Sequence, residues 1–227
     1  MAAEQPPRRP LSARIFVAVA AAVALLLLGA TLGLLIKVPE ADRAEPRPTA
    51  VDIGFAQDMT VHHQQAVTMA TLAREFGHDV AVRQLAFDIE TNQRDQIGRM
   101  QGWLSLWHQP AQAVGPPMTW MSGSDGHQHH RGQAPSTPSG GLMPGMASSE
   151  ELSRLQGLRG PEFDVYFLQL MLRHHEGGAP MARHGAQHAA LPAVRNLATN
   201  MLGSQATESD LMRRMLGDRD ATPLATG

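Results

Sequence analysis

Imidazole and thioether side chains recur in one pattern at two places in this chain. Segments 55–70 and 167–182 both read F-x-Q-x-M-x-x-H-H-x(5)-M-A. At about 100° per residue in a helix, Met59, His62, His63 and Met69 fall within an arc of roughly 120°. Met171, His174, His175 and Met181 do the same. Each segment therefore offers one face with two imidazoles and two sulfurs, and His184 and His188 add two imidazoles one turn apart on the second. That donor set suits copper, Cu(I) above all, and suits magnesium or calcium poorly, since both prefer oxygen. These ten residues are the candidate metal ligands.

The elements that must carry them repeat as well. An offset of 112 residues superimposes His62 on His174 without a gap, and it also places Ala81, Val82 and Arg83 on Ala193, Val194 and Arg195, Gln93 on Gln205, and Met100 on Met212. Such self-similarity marks a duplicated unit, here a helical hairpin, and one hairpin cannot bury its own apolar face. The first helix is expected from Asp52 to Phe76, stopped by Gly77. The second starts from the N-cap Asp79 and runs to Trp107, before Pro110. Ser148 and Glu151 form a capping box ahead of a short helix. Gly160-Pro161 opens the third long helix, which should reach Ala189 with a kink near Glu176 caused by Pro180. The fourth runs from Pro192 to Leu216. On the stripes of the second and fourth helices, Gln93, Gln96, Gln205 and Glu208 interrupt an apolar seam that includes Met100 and Met212. They are the expected hydrogen-bonding surroundings of the histidines.

Outside the duplicated part, residues 15–36 are uncharged and almost wholly apolar. The run is long enough to span about 30 Å of hydrocarbon and too long for the apolar core of a signal peptide. An uncleaved anchor is favoured, with secretion the alternative if the segment is removed. Arg8, Arg9 and Arg14 precede it, which puts residues 1–14 in the cytoplasm and the C-terminal domain outside, beyond a stalk at 37–51. Residues 109–147, rich in Pro, Gly and Ser, read as a flexible linker, and 218–227 as a tail. The linker carries Met118, Met121, His127, His129 and His130, a secondary metal-collecting set. Cysteine is absent, which removes thiolate sites, disulfides and a lipidated cysteine. The net charge of −2 without a basic stripe argues against nucleic acid.

The pattern M-x-x-H-H-x(5)-M-A followed by I-x(3)-Q-x(6)-M, together with G-L-M-P-G-M-x-S-x-E-E-L at Gly141–Leu152, resembles the bacterial family called domain of unknown function 305 over Asp52 to Leu216. The resemblance implies an exported, all-α, ferritin-like four-helix up-down bundle, similar in some members to periplasmic copper-tolerance proteins. Its His/Met motif falls on Met59, His62, His63, Met69, Met171, His174, His175 and Met181. The sequence departs from it at Gly178-Ala179-Pro180, and at Gln96, where an acidic residue is common.

A di-iron site would need Glu-x-x-His on two helices. The single match, Glu75 with His78, sits at a helix end and has Gln187 and Ala190 as its counterparts. No G-x-S-x-G hydrolase motif is present, so no enzyme is expected. The reading is a membrane-anchored extracytoplasmic protein that sequesters or delivers copper, each hairpin holding an ion near the end of its first helix. Its partners are the metal, the membrane and either a second copy or a copper-handling protein. The competing reading is a metal-free structural or partner-binding bundle, in which the histidines form buried networks with Gln and Glu.

Overall fold

The computed structural model describes residues 11–35, 47–122 and 141–224. The expected cytoplasmic segment before Leu11, most of the stalk, the linker histidines His127, His129 and His130, and the last three residues lie outside them. Two compact units are present, 1–45 and 46–227. The first contains helix α1, Leu11–Leu35, whose stretch Arg14–Gly33 is long and apolar enough to cross a membrane.

Every regular element described in the second unit is helical: α2 (Ala50–Phe76), α3 (Val80–Leu106), a single 3-10 turn η1 (Thr119–Met121), α4 (Ser149–Gly157), α5 (Gly160–His188) and α6 (Pro192–Gly217). Helices α2 and α3 form one hairpin and α5 and α6 the other, and the hairpins meet through α2 and α5. Small residues make that close meeting feasible, because Ala56, Ala66, Ala70 and Ala73 on α2 are fully buried.

The duplication is visible in how the hairpin turns are held. Near the start of α2, the buried Asp52 accepts the backbone N–H groups of Ala190 and Leu191 (3.1 and 2.9 Å), just before α6. Asp164, its counterpart on α5, accepts those of His78 and Asp79 (2.9 and 2.8 Å), just before α3. Arg83 then donates to the carbonyls of Gly77 and His78, and Arg195 to those of Ala189 and Ala190. Each hairpin thus closes the turn of the other, satisfying backbone groups that helix ends leave orphaned. The exchange fixes α2 and α5 as antiparallel.

Two apolar clusters fill the interior. One contains Met69, Phe163, Phe167, Met171 and Met212. The other contains Phe55, Met59, Met100, Met181 and Met201. Along both α2 and α5 the double histidine lies between the residues of one cluster and those of the other.

The 109–147 connection is docked at both ends. Met118 and Trp120 are buried, and Asp58 accepts both the Met118 N–H (2.6 Å) and the Trp120 indole N–H (2.7 Å). Gly54 makes room for the indole, since a Cβ there would lie 2.4 Å from the Trp120 ring. At the other end, Gln65 holds both polar groups of Ala147, and Pro144-Gly145 crosses α5 at Gly177. Gly145 has φ +78°, and a Cβ on Gly177 would lie 2.4 Å from the Pro144 carbonyl. The capping box at Ser148 and Glu151 forms, and Arg173 clamps Glu151 through both oxygens. Helix α5 stays helical through Pro180, which is exposed, so water can satisfy the carbonyl left without a donor.

Candidate metal centre

The four motif histidines are drawn into one layer at mid-length of α2 and α5. Their exposure is 0 to 1%. The His62 and His174 rings meet across the two hairpins with centroids 3.8 Å apart and planes tilted by 35°, and His63 and His175 flank them at 6.4 and 6.3 Å from their chain neighbours. The expectation of one ion near the end of the first helix of each hairpin does not fit this geometry. Antiparallel pairing of identical segments brings the same position of each copy face to face, so the four rings form one shared layer rather than two separate pairs.

Each ring is anchored through Nε2. His63 donates to Gln96 Oε1 (2.7 Å) and His175 to Glu208 Oε2 (2.6 Å), the same interaction repeated at the 112-residue offset. Gln96 is held in turn by donating to Asn92 Oδ1 (3.1 Å). His174 donates to the His62 carbonyl (3.0 Å) and His62 to that of Pro144 (3.2 Å). The carbonyl and carboxylate partners of His62, His174 and His175 can only accept, which places a ring proton on Nε2 in those three, and the Gln96 amide as oriented makes the same demand of His63. The four Nδ1 atoms are buried and have no hydrogen-bond partner.

Burial keeps His62, His63 and His174 neutral. Burial lowers His62 to about 4, against the bond to Pro144, with His175 lowering it further. Burial lowers His63 to about 3, reinforced by His62. His174 is pushed well below the usual range by burial and by His62, His175 and His63. A neutral imidazole with its proton on Nε2 presents a bare lone pair on Nδ1. A carboxylate, amide or carbonyl behind one ring nitrogen and a free lone pair on the other is how proteins orient metal-binding histidines.

The remaining candidates are distributed around this layer. Met59, Met100 and Met181 are in the cluster on one side, and Met69, Met171 and Met212 are in that on the other, all 0 to 1% exposed. Gln93 is buried with neither end of its amide bonded, and Gln205 is buried on α6. His184 and His188 stand apart, their rings 4.4 Å from each other, in a cleft shared with Met121. Met118 is buried in the second cluster. Among the described residues, no three His, Asp or Glu side chains are grouped to hold an ion by themselves. A cleft of about 360 Å³ between α5 and α6 reaches His175 from the surface.

Several residues that shape the centre escape the motif. Gly178 leaves room for the His62 ring, since a Cβ would approach its Cε1 to 2.9 Å, and Gly177 admits Pro144. The Gly-Gly pair is therefore the place where the connection closes over His62. Asp52 and Asp164 recur at the same 112-residue offset as the histidines, and that recurrence is the signal that identifies them.

The chain belongs to the family of domain of unknown function DUF305, whose model matches residues 52–216. Among solved structures it is similar to a DUF305 protein of Streptomyces coelicolor described as secreted, at 40% identity and TM-score 0.67, covering 77% of this chain and 97% of that one. A DUF305 fragment from Deinococcus radiodurans is 31% identical, with TM-score 0.61 and coverage of 76% and 99%. CopM in its Cu(II)-bound form is 25% identical, with TM-score 0.55 and coverage of 74% and 96%, and CopM is also known in Cu(I)- and Ag-bound forms. Among curated proteins, none matches this chain.

Proposed function

We propose that this DUF305 protein binds copper outside the cytoplasmic membrane, with α1 as its anchor and residues 52–217 as a ferritin-like four-helix bundle. Sequestration or delivery suffices as the role, and no catalytic turnover is required. The observation that carries the reading is the set of four buried Nδ1 atoms without a hydrogen-bond partner, each on a ring whose Nε2 is already committed to a partner. Leaving a polar atom unpaired in the interior costs about 1–3 kcal/mol, and four in one layer are a large cost for a purely structural network to bear. Neutral imidazoles bordered by buried thioethers favour Cu(I). The cleft to His175 supplies a route of entry. That CopM binds copper and silver on a similar helical frame supports the choice of ion.

The metal-free alternative has an observation of its own, since His63–Gln96 and His175–Glu208 are complete hydrogen bonds that would fix the register of α3 and α6 without an ion. The two readings separate in a titration of the detergent-purified full chain with Cu(I) against a competing chelator. The copper reading requires wild type to take up at least one equivalent more than a variant with His62, His63, His174 and His175 changed to Ala. It also requires Cu(I) at about a hundred times its dissociation constant to stabilise wild type by about 2.7 kcal/mol. Equal uptake, together with a melting point unmoved by Cu(I), refutes it and leaves the structural network.

A further inference from the structure

The cleft at the start of α2 and the end of α5 is built in a way that the duplication does not explain. It encloses about 770 Å³, and His184, His188, Trp120 and Met121 line it together. His184 is half-buried and His188 exposed, so the pair, one helical turn apart with ring centroids at 4.4 Å, faces water. The Trp120 ring stands 5.4 Å from His184 at 71°. That wall is fixed, because one buried oxygen of Asp58 takes both the Trp120 indole N–H and the Met118 N–H, while Gly54 gives the indole its seat.

The pseudo-equivalent positions in the other copy do not repeat these groups. The positions of His184 and His188 are held in the first copy by Leu72 and Phe76, which pack against the apolar core. The positions of Gly54 and Asp58 are held in the second copy by Tyr166 and Leu170. The four counterpart positions thus have Leu, Phe, Tyr and Leu, whereas the cleft has two imidazoles, the seat of the indole and the carboxylate that braces it. Packing alone gives no reason for that difference. Two imidazoles at i and i+4 can converge on one ion, and a thioether on the rim extends the set toward soft metals.

We propose that His184 and His188, with Met121 on the rim, form a solvent-open site for a single copper ion, distinct from the buried histidine layer. With two or three protein ligands the ion keeps water in its remaining positions, so it exchanges readily, and the site serves to pick up or hand over the metal. The site does not depend on the buried layer holding metal.

Trp120 is the natural reporter. The test uses the full chain in detergent with Trp103 and Trp107 changed to Phe, and with His127, His129 and His130 changed to Ala to remove competing imidazoles. Cu(II) chloride is expected to quench Trp120 fluorescence by more than half at one equivalent. His184→Gln/His188→Gln in that background should raise the Cu(II) concentration needed at least tenfold, with an unchanged melting curve showing that the domain is intact. Quenching that is absent at one equivalent, or identical in the His184/His188 variant, overturns the proposal. Cu(I) uptake by the buried layer is read separately with the chelator assay, so either site can fail without the other.

Discussion

The protonation state of the histidine layer has a steep consequence for stability. His62, His63 and His174 are neutral in the folded protein, with His62 lowered to about 4, His63 to about 3, and His174 also well below its ordinary value. In the unfolded chain each regains a pKa of about 6.5. A base whose folded pKa is depressed keeps its full contribution above the unfolded value, and the contribution is lost as pH falls from 6.5 toward the folded pKa. Each such histidine adds a slope of up to about 1.4 kcal/mol per pH unit. Between pH 7.5 and 5 the integrated loss is about 2 kcal/mol per ring, or about 6 kcal/mol for three, a large share of the 5–15 kcal/mol that a typical domain possesses. His184, lowered by partial burial and by His188, acts in the same direction. The measurement is urea unfolding at pH 7.5, 6.5, 5.5 and 5, with the m-value checked for constancy. A His63→Leu/Gln96→Leu pair removes one titrating ring together with its partner, leaving no orphaned amide oxygen facing it, and should reduce the loss to about 4 kcal/mol. Comparison of the two proteins cancels every other titrating group. A wild-type loss below about 2 kcal/mol, or an identical loss in the variant, would refute the assignment of neutral, buried rings.

Two further outcomes follow from the exchange of caps and from the crossing chain. Asp164→Ala strips two backbone N–H groups of their acceptor and should lose about 2–4 kcal/mol in urea unfolding, while Asp52→Ala strips those of Ala190 and Leu191 and also the Thr49 N–H and hydroxyl, and should lose more; a loss in Asp164→Ala equal to or above that in Asp52→Ala would show that the turns are not held by these bonds. Gly177→Ala puts a methyl against the Pro144 carbonyl and should cost about 1–3 kcal/mol while making 141–147 more susceptible to limited proteolysis. Unchanged proteolysis would mean that the crossing is not tight.

What can be read from the sequence is what local chemistry decides. The N-caps at Asp79 and Ser148, the stop at Gly77 and the proline start at Pro192 lie at the helix ends that the structure shows, because each acts within one turn of its own backbone. The 112-residue offset marks His62 and His174 as equivalent residues. It does not say that equivalents meet, and that depends on α2 and α5 pairing antiparallel about a shared centre. Gly177 and Gly178 look like weak points of a helix when only their own helix is considered. Their use is in tertiary packing between distant segments, since Pro144 and His62 occupy the space of the missing side chains. Trp120 is hidden by its surroundings: a Pro- and Gly-rich composition signals loop, and its seat is made by Gly54 and Asp58, sixty or so positions upstream, which have no counterpart in the second copy.

The two halves of the centre differ at one chemically decisive position. Gln96 and Glu208 occupy the same place in the two copies and grip His63 and His175 in the same manner, so the layer contains one carboxylate and one neutral amide. A second carboxylate at position 96 would put two negative charges around a closed set of imidazoles, and burying an uncompensated charge costs several kcal/mol. Such a layer would need a divalent cation or extra protons to be neutral. With a single carboxylate, 16% exposed and already bonded to His175, one positive charge suffices. On the proposed reading, the amide at Gln96 thus matches the layer to a monovalent ion such as Cu(I), and the surrounding sulfur selects the same ion by its softness. The open imidazole pair at His184 and His188 lies outside that charge constraint because solvent reaches it directly.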